Sequence, residues 1–306
     1  MSNGVNIIFK SKADTLSLIK NKIRKSKVPK FLILKFIDWK ENQKDCLQEI
    51  QYNFSDCNLI VRSSTKEEDS NLNSFAGFFD SVSCVSLDDE NLIINSINKV
   101  FHSYQKIKLR PNSQIIIQEM IENVSMSGVV FTRDINTGSP YYIINYDDET
   151  GRTDTITAGM NYNNRSLYIL RGEEKSLRSK RFINLMKSVK ELEKFFNTDA
   201  IDLEFALDNK NKVFIFQIRQ LTTSKKWDKN LNKKIKYKTK SIESFLENKF
   251  GSLKNIYGTK SIFGQMPDWN PVEMIGRSPK KLALSLYKYL ITDQVWREAR
   301  SEMGYN

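Results

Sequence analysis

A predicted β-hairpin at residues 200–218 places the tightest constraint on how this chain can fold. Residues 200–207 and 213–218 are apolar enough for strands, and the polar run at residues 208–212 has the composition of a hairpin turn. Other strand-like runs alternate along the chain with helix-like segments: strands at residues 31–34, 59–61, 115–118, 127–132 and 141–146, and helices at 15–27, 88–106 and 182–196. Antiparallel strands mixed with helices predict an α+β fold.

The predicted hairpin carries polar residues at alternate positions near its open end. Alternation along a strand places Asp202 and Glu204 on one face, and Gln217 and Arg219 also share a face. If the two faces coincide, two carboxylates, an amide and a guanidinium converge. Carboxylates hold Mg²⁺, and Mg²⁺ with Arg neutralises nucleotide phosphates. An exposed, charged hairpin face whose surface ion pairs contribute little explains the same pattern equally well.

A second candidate segment joins a buried strand to a loop of small residues. Arg62 follows the apolar run at residues 59–61, and the sequence Asn-Ser-Phe-Ala-Gly follows at residues 73–77. Gly and Ala allow backbone N–H groups to approach phosphate oxygens closely. The segment is not a P-loop, because no Gly-Lys-Ser/Thr follows. An ordinary turn is the alternative interpretation.

A third candidate segment lies at the end of the strand predicted at residues 115–118. Gln118 and Met120 flank Glu119 there, and a strand-end backbone with apolar neighbours can bind an adenine ring. Packing of Met120 in the core is the simpler interpretation of this segment alone.

The net charge of +12 over 306 residues suggests an anionic partner, but its distribution weakens that interpretation. Residues 224–260 carry 11 Lys against three acidic residues. A solvated, Lys-rich connector explains this concentration better than a nucleic-acid groove, and Arg–aromatic clusters that stack single-stranded bases are missing from the sequence. We therefore expect no nucleic-acid partner.

Two further properties bear on location. No apolar run approaches the ~20 residues of a membrane span, and residues 1–18 lack the apolar region of a signal peptide. The three cysteines, Cys46, Cys57 and Cys84, match no zinc-binding spacing, and their odd number argues against a disulfide framework. These features predict a cytoplasmic protein with reduced thiols.

The sequence divides into four predicted regions. Residues 1–110 form a first lobe, residues 111–223 a second lobe, residues 224–260 the Lys-rich connector, and residues 261–306 the start of a linker and helical region. The last region contains a loop at residues 266–271 and a helix from about Ser278. It stops without a closing element, which is typical of a truncated product.

Together, the candidate segments resemble phosphoenolpyruvate synthase and pyruvate phosphate dikinase in their ATP-binding domain. Residues 59–85 resemble that family's Val-Arg-Ser-Ser…Ser-Phe-Ala-Gly signature. Residues 118–134 resemble its next block, and residues 202–219 its closing block. The order is the same as in the family, over residues 12–222. The resemblance implies a two-lobed ATP-grasp fold that holds ATP between α+β lobes, with ATP and Mg²⁺ as cofactors.

The resemblance also implies roles for individual residues. Phosphate-binding, catalytic positions correspond to Lys12, Arg62 and Arg219, and the lid loop over the phosphates to Ser74 and Gly77. The adenine hinge corresponds to Gln118 and Met120. The metal ligands correspond to Asp202, Glu204 and Gln217, of which Glu204 and Gln217 also contact the nucleotide.

The chain departs from the family pattern at several positions. Lys10 and Ser11 stand where the family has two Gly, and Gln220 replaces a Pro. The family's Gly-Leu-Gly-Glu stretch is replaced by the acidic residues 147–154. That stretch, with residues 266–271 and 290–293, resembles a subgroup from surface-polysaccharide clusters that includes the L-glutamine kinase of capsular phosphoramidate assembly.

The resemblance implies a histidine relay. In such a relay, ATP is split to AMP and phosphate, and a phosphoryl group passes through a phosphorylated His to an acceptor, which in the glutamine kinase is the amide of L-glutamine. The sequence has one His, His102, within a predicted helix, and no segment resembles the family's His motif. We therefore expect an incomplete phosphotransferase whose phosphohistidine domain is supplied in cis or in trans.

Three alternatives remain open from the sequence. The first alternative is a nucleotide-binding remnant or pseudo-enzyme without turnover. The second is a synthase-like enzyme that acts on pyruvate, and the third is a basic scaffold for nucleic acid or another anionic polymer. Retention of Lys12, Arg62, Glu204, Gln217 and Arg219 favours an enzyme over a remnant. The local concentration of charge disfavours the scaffold.

Overall fold

The computed structural model describes residues 9–64, 81–104, 109–151, 165–252, 254, 257–260, 274–276 and 278–303. The chain divides into two compact units, Met1–Lys229 and Asn230–Asn306. The first unit contains both β-sheets and all the candidate site residues that the structure describes.

A four-stranded antiparallel sheet occupies the first part of the first unit. Its strand order is β1-β4-β2-β3. The strands are β1 (Phe31–Lys35), β2 (Asn58–Ser64), β3 (Ser81–Ser86) and β4 (Gln114–Glu119). The helices of this part are α2 (Phe36–Glu41), α3 (Gln43–Asn53) and α4 (Glu90–Ser103). Alternate residues of β2 and β4, such as Leu59, Val61 and Ile117, pack with these helices in one core. Arg62 and Gln118 therefore lie on the opposite face of the sheet.

The helix α4 shows how local sequence positions these elements. The Asp89 carboxylate accepts the N–H of Leu92 at 2.8 Å and caps the helix. Ile93, Ile97 and Val100 recur at helical spacing and are buried. His102 lies on the exposed side of the same helix.

A five-stranded antiparallel sheet forms the second part of the first unit, with strand order β7-β6-β5-β8-β9. Its strands are β5 (Val124–Phe131), β6 (Tyr141–Asp147), β7 (Arg165–Leu170), β8 (Ile201–Asp208) and β9 (Val213–Gln220). The helices α1 (Lys12–Ile19) and α5 (Lys180–Phe196) pack against it. The α+β fold class predicted from the sequence is confirmed, since the first unit combines helices with two antiparallel sheets.

The helix α1 joins the two sheets. Its buried residues Ala13, Leu16 and Ile19 belong to the core of the second sheet, and Ile116 of β4 enters the same core. The N–H of Ala13 also donates to the Ser64 hydroxyl at the end of β2, at 2.9 Å. Because one helix contacts both sheets, the relative position of the sheets is fixed by packing rather than by their connecting loop.

Several observed helices and strands differ in their bounds from those predicted from the sequence. The first helix begins at Lys12 and ends at Ile19, whereas the sequence predicted residues 15–27. The strand β4 pairs with β1 and β2, so the first sheet continues beyond the predicted lobe boundary at residue 110. The helices α2 and α3 and the strands β3 and β7 were not predicted.

The second unit contains helices. These are α6 (Leu231–Lys249), α7 (Lys281–Tyr287), a π-helical turn (Lys288–Thr292) and α8 (Val295–Glu302). None of the residues of α6 is buried, so the central part of the Lys-rich segment predicted as a connector is a solvent-exposed helix. Among the described residues, no helix has the length and apolar character needed to cross a membrane.

Gly128 is required by the close approach of β5 and β6. A Cβ at this position would lie 2.1 Å from the carbonyl oxygen of Asn145, which is a backbone atom that cannot rotate away. We expect Gly128→Ala to lower the free energy of unfolding by about 3 kcal/mol or more, because the strands must separate or bend. Chemical denaturation monitored by circular dichroism measures this change.

Gly251→Ala is the matched control, since no atom lies within 4 Å of a Cβ there. This substitution should change the stability by less than about 0.5 kcal/mol. Equal stabilities for the two variants would show that β5 and β6 do not approach each other as closely as described.

Candidate nucleotide-binding site

A β-bulge in β9 determines which side chains face the site. Glu204 pairs with Gln217, but the next residue of β8, Phe205, pairs with Ile215, so Phe216 is one extra residue. Ile215 and Ile218 both pack in the core although they are three residues apart. The bulge therefore turns the polar residues that follow it away from the core.

The hairpin register brings the four predicted polar residues onto one face. Asp202 lies opposite Arg219, and Glu204 lies opposite Gln217. The Nε of Arg219 donates to the Oδ2 of Asp202 at 2.5 Å. Asp202 is only 6% exposed. This arrangement differs from an exposed charged face, because both carboxylates are held in ion pairs at a largely buried position.

Arg62 reaches this face from the other sheet. Its Nη2 donates to the Oε2 of Glu204 at 2.5 Å, and its Nη1 donates to the carbonyl oxygen of Phe216 at 3.2 Å. The acceptor carbonyl belongs to the bulged residue itself. Arg62 thus links β2 to the β8–β9 hairpin through two hydrogen bonds, one of them charge-assisted.

The surrounding charges keep Glu204 ionised. Burial by itself would raise the pKa of Glu204, but the positive charges of Arg62, Lys12 and Arg219 and the hydrogen bond from Arg62 together lower it. Lys12 is itself buried, in the first turn of α1. Three basic side chains from three separate elements therefore surround one carboxylate.

Asp202 has the opposite balance. Burial raises its pKa, and the Arg219 ion pair does not fully offset this effect, to which the negative charge of Glu204 adds. A buried carboxylate with a raised pKa is stabilised by additional positive charge. The neighbouring pair of carboxylates therefore favours binding of a cation.

The site face changes from polar to apolar along the hairpin. Beyond Glu204 on the same face lies Ala206, which forms a small apolar cluster with Phe214 and Phe216. Ile121 and Val124, just after β4, pack against this cluster. The site therefore offers charged groups at one end and an apolar wall at the other.

Gln118 is a buried amide that has no hydrogen-bond partner among the described residues. It is fully buried, and neither its Oε1 nor its Nε2 makes a hydrogen bond with any residue that the structure describes. The strand register places it between Phe31 and Ile60, two residues along β4 from the position opposite Arg62. Burial of an amide without a hydrogen bond is unfavourable, so a new partner for its donor or acceptor would be stabilising.

The backbone near Met120 is already engaged. Its N–H donates to the carbonyl of Asn58 at 2.9 Å, and the N–H of Glu119 donates to the carbonyl of Lys30 at 2.9 Å. The Sδ of Met120 accepts the N–H of Cys84 at 3.0 Å. Neither N–H is thus free for an adenine ring in this arrangement. The predicted lid residues Ser74 and Gly77 lie outside the described residues.

Several supporting residues were not predicted. Thr132 accepts the N–H of Ile201 at 2.7 Å and donates to the carbonyl of Asp199 at 2.8 Å, which holds the start of β8. The guanidinium of Arg171 donates to the backbone carbonyl of Thr132 at 2.8 Å and pairs with Glu193. No simple sequence pattern identifies this network, because its members are widely separated along the chain.

The acidic stretch at residues 147–154 is partly structural. Asp147 is buried and accepts the N–H groups of Glu149 and Thr150 at 2.9 and 3.0 Å. Asp148 pairs with Arg165 at 3.2 Å and with Arg181 at 2.7 Å. These carboxylates thus stabilise the end of β6, and residues 152–164 lie outside the described residues.

The donor set fits a hard divalent cation bound together with an anionic ligand. Asp202, Glu204 and Gln217 offer only oxygen ligands from side chains, which Mg²⁺ prefers. Among the described residues there is no cluster of three or more His, Cys, Asp or Glu side chains that would hold a metal alone. A cation at this site therefore needs further oxygen ligands from a bound molecule.

Comparison with known proteins agrees with an adenine-nucleotide site. Residues 9–158 match the family described as pyruvate phosphate dikinase, AMP/ATP-binding domain. This match includes Lys12, Arg62 and Gln118, ends before β8, and supports nucleotide binding. No curated protein matches the chain.

Solved structures of ligases also resemble the chain. The D-alanine–D-alanine ligase from Helicobacter pylori is 14% identical, with a TM-score of 0.41 over 70% of this chain and 54% of the ligase. The ligase from Coxiella burnetii is 10% identical, with a TM-score of 0.40 over 76% and 60% of the two chains. The ligase from Bacillus anthracis in complex with ATP is 12% identical, with a TM-score of 0.38 over 69% and 54%. The chain spans little more than half the length of these proteins.

The isolated amide of Gln118 leads to a prediction about stability. Gln118→Leu removes a buried donor and acceptor that have no partner among the described residues, while the volume is nearly kept. We expect the nucleotide-free variant to be more stable than the parent by roughly 1–2 kcal/mol. Thermal or urea unfolding without nucleotide measures the difference.

Gln114→Leu is the control on the same strand. Its Nε2 donates to the Ser11 hydroxyl at 2.8 Å, so this substitution removes a hydrogen bond and should destabilise the chain by roughly 1 kcal/mol. A loss of stability in Gln118→Leu equal to that in Gln114→Leu would mean that the Gln118 amide has a partner.

Proposed function

We propose that this chain binds ATP between its two sheets and is the nucleotide-binding portion of an ATP-grasp phosphotransferase. One observation carries the proposal: Arg62 of the first sheet meets the polar end of the β8–β9 hairpin, and an apolar wall continues that face. A nucleotide has the matching polarity, with anionic phosphates at one end and a planar base at the other. The family match over residues 9–158 supports the same ligand.

The proposed orientation follows from charge. Lys12, Arg62 and Arg219 surround Glu204 and would bind the phosphates, since guanidinium and ammonium groups form strong hydrogen bonds to phosphate oxygens. The base would lie towards Phe214 and Gln118. The amide of Gln118 offers one donor and one acceptor, the combination that an Asn or Gln side chain uses to bind adenine.

A magnesium ion would be held by Asp202, Glu204 and Gln217 together with phosphate oxygens. Bound there, it would neutralise charge on the phosphates. The chain's own groups would position the nucleotide: Arg219 remains beside Asp202 on the hairpin, and Arg62 approaches from the opposite sheet. Burial of these groups would strengthen each electrostatic interaction by excluding water.

The finer part of the proposal concerns the phosphoryl acceptor. We propose that ATP is split to AMP and phosphate through a phosphohistidine supplied by another domain, and that the final acceptor is a small molecule, with the amide of L-glutamine as the leading candidate. The support is the resemblance of residues 147–154, 266–271 and 290–293 to the glutamine kinase subgroup. His102 is an unsuitable relay residue, because α4 covers the face of the first sheet opposite to Arg62.

Substitution of the basic residues tests nucleotide binding. We expect Arg62→Ala and Arg219→Ala each to weaken MgATP binding by about tenfold or more, which is the contribution of a charge-assisted hydrogen bond. Arg62→Lys should also weaken binding, since a Lys cannot form a two-pronged contact. Isothermal titration calorimetry on the folded variants measures these constants.

Arg165→Ala is the matched control, because Arg165 forms ion pairs with Asp148 and Glu149 outside the proposed site. Its affinity for MgATP should equal that of the parent chain. If Arg62→Ala and Arg165→Ala bound MgATP equally well, Arg62 would have no role in holding phosphate.

The relay predicts how the chain behaves alone. We expect it to form little AMP from ATP, with or without glutamine, because water replaces imidazole poorly as a nucleophile in such a site. Added phosphohistidine domain should become phosphorylated on its His, and His102→Ala should change neither result. Chromatographic assay of AMP measures turnover. Release of AMP at about 1 per second or faster that His102→Ala abolished would make His102 the nucleophile.

A further inference from the structure

The guanidinium of Arg62 is already engaged in the structure. We propose that the Arg62–Glu204 ion pair selects the metal-bound form of the nucleotide over the metal-free form, because Glu204 releases Arg62 to the phosphates only when a divalent cation takes the place of the guanidinium. This inference rests on the proposed function, and it assigns a specificity-determining role to the pair. It concerns the choice between two forms of the same ligand.

A phosphate that approaches Arg62 competes with the acceptors of the hairpin. The Nη2 of Arg62 donates to Glu204 at 2.5 Å and its Nη1 donates to the Phe216 carbonyl at 3.2 Å, so both terminal nitrogens have acceptors on the hairpin. The side chains of Arg62 and Glu204 are only 13% and 18% exposed. At such a position water weakens the ion pair little. A phosphate therefore has to compete with a carboxylate for the same donors.

Glu204 loses its ion-pair partner when Arg62 turns to a phosphate. If Arg62 turned to a phosphate with no replacement, a largely buried carboxylate would lose its hydrogen-bonded partner and would face a second anion. Leaving one member of a buried ion pair without its partner is strongly unfavourable. Lys12 and Arg219 also lower the pKa of Glu204, but Arg219 already donates to Asp202, and in the proposed orientation both basic side chains would bind phosphate. A new cation at Glu204 therefore lowers the cost of moving Arg62 to a phosphate.

Only the metal-bound form of the nucleotide brings a cation to Glu204. A nucleotide with bound Mg²⁺ carries a hard cation that is coordinated by carboxylate and amide oxygens. Glu204 and Gln217, which lie directly opposite each other in the hairpin, supply one such oxygen ligand each. Glu204 can then exchange a guanidinium for the cation without becoming unpaired. A metal-free nucleotide offers no such exchange. The ion pair thus discriminates against it.

Asp202 provides an internal comparison. It carries the same charge as Glu204 on the same strand face, but its partner is Arg219 of the same hairpin rather than Arg62 of the other sheet. Removing the charge of Asp202 should thus weaken repulsion of the phosphates without releasing Arg62. Comparing variants of the two carboxylates therefore distinguishes charge repulsion of the phosphates from competition for Arg62.

The test is the dissociation constant of ATP, measured by calorimetry with Mg²⁺ and separately with excess EDTA. We expect Glu204→Gln to bind metal-free ATP about tenfold more tightly than the parent chain and to bind MgATP more weakly. In Arg62→Ala, the additional Glu204→Gln change should give a clearly smaller gain for metal-free ATP, no larger than the gain from Asp202→Asn. The gain should thus depend on Arg62.

Two further variants complete the experiment. Asp202→Asn should give a gain for metal-free ATP that is equal with and without Arg62. Glu204→Asp keeps the charge but withdraws the carboxylate by one methylene, so it should also tighten binding of metal-free ATP, although repulsion between charges is unchanged. Circular dichroism identifies the folded variants, and Glu204→Asp decides the outcome if Glu204→Gln does not fold.

The results that overturn the inference are distinct from those that overturn the proposed function. A gain in Glu204→Gln that persists in full without Arg62, together with no gain in Glu204→Asp, would show that only charge repulsion is relieved. Equal affinity of the parent chain for the two forms of ATP would also overturn it. A parent chain that binds neither form would instead refute the proposed function.

Discussion

The one-residue bulge at Phe216 is the constraint on which the site depends. Strand residues alternate between two faces, so a regular β9 that buries Ile215 would also turn Gln217 and Arg219 into the core. The extra residue reverses the alternation and presents both polar side chains beside Asp202 and Glu204. It also provides the carbonyl that accepts Arg62. One local irregularity therefore creates the polar face and attaches it to the other sheet.

An ion pair between Arg62 and Glu204 attaches the first sheet to the hairpin of the second sheet. Without this pair, both largely buried side chains would lack an oppositely charged partner at this contact. The core around α1 fixes the two sheets, and Arg62 then crosses between them to Glu204. A buried ion pair contributes little net stability, because desolvation offsets much of the attraction, but loss of either partner is strongly unfavourable. The pair thus specifies the arrangement of the two sheets more than it stabilises the fold. Buried charges in such pairs are also suited to exchange with a charged ligand.

Sequence patterns predicted those parts of the molecule that depend on local chemistry. Alternation identified the hairpin and its four polar residues, and capping by Asp89 with helical spacing identified α4. The strands β3 and β7 were missed because SVSCVS and RSLYIL are short edge strands with polar residues, which give a weak strand signal. The break in spacing between Ile215 and Ile218 could have indicated the bulge. Local sequence patterns could not predict the contact between Arg62 and Glu204, since 142 residues separate them, and only the family resemblance placed both at one site.

The two ends of the proposed site differ in whether their polar groups have partners before a ligand binds. Because of this difference, the two ends contribute differently to ligand binding. The amide of Gln118 is buried without a partner among the described residues, so any ligand that pairs with it removes an existing penalty and gains affinity. Arg62 and Glu204 already satisfy each other, so a ligand gains little there unless it replaces both interactions. Pairing with Gln118 should therefore add affinity for any matching ligand, while the phosphate end favours a ligand that replaces both members of the ion pair. A nucleotide that lacked either the base or the metal would lose one contribution and keep the other.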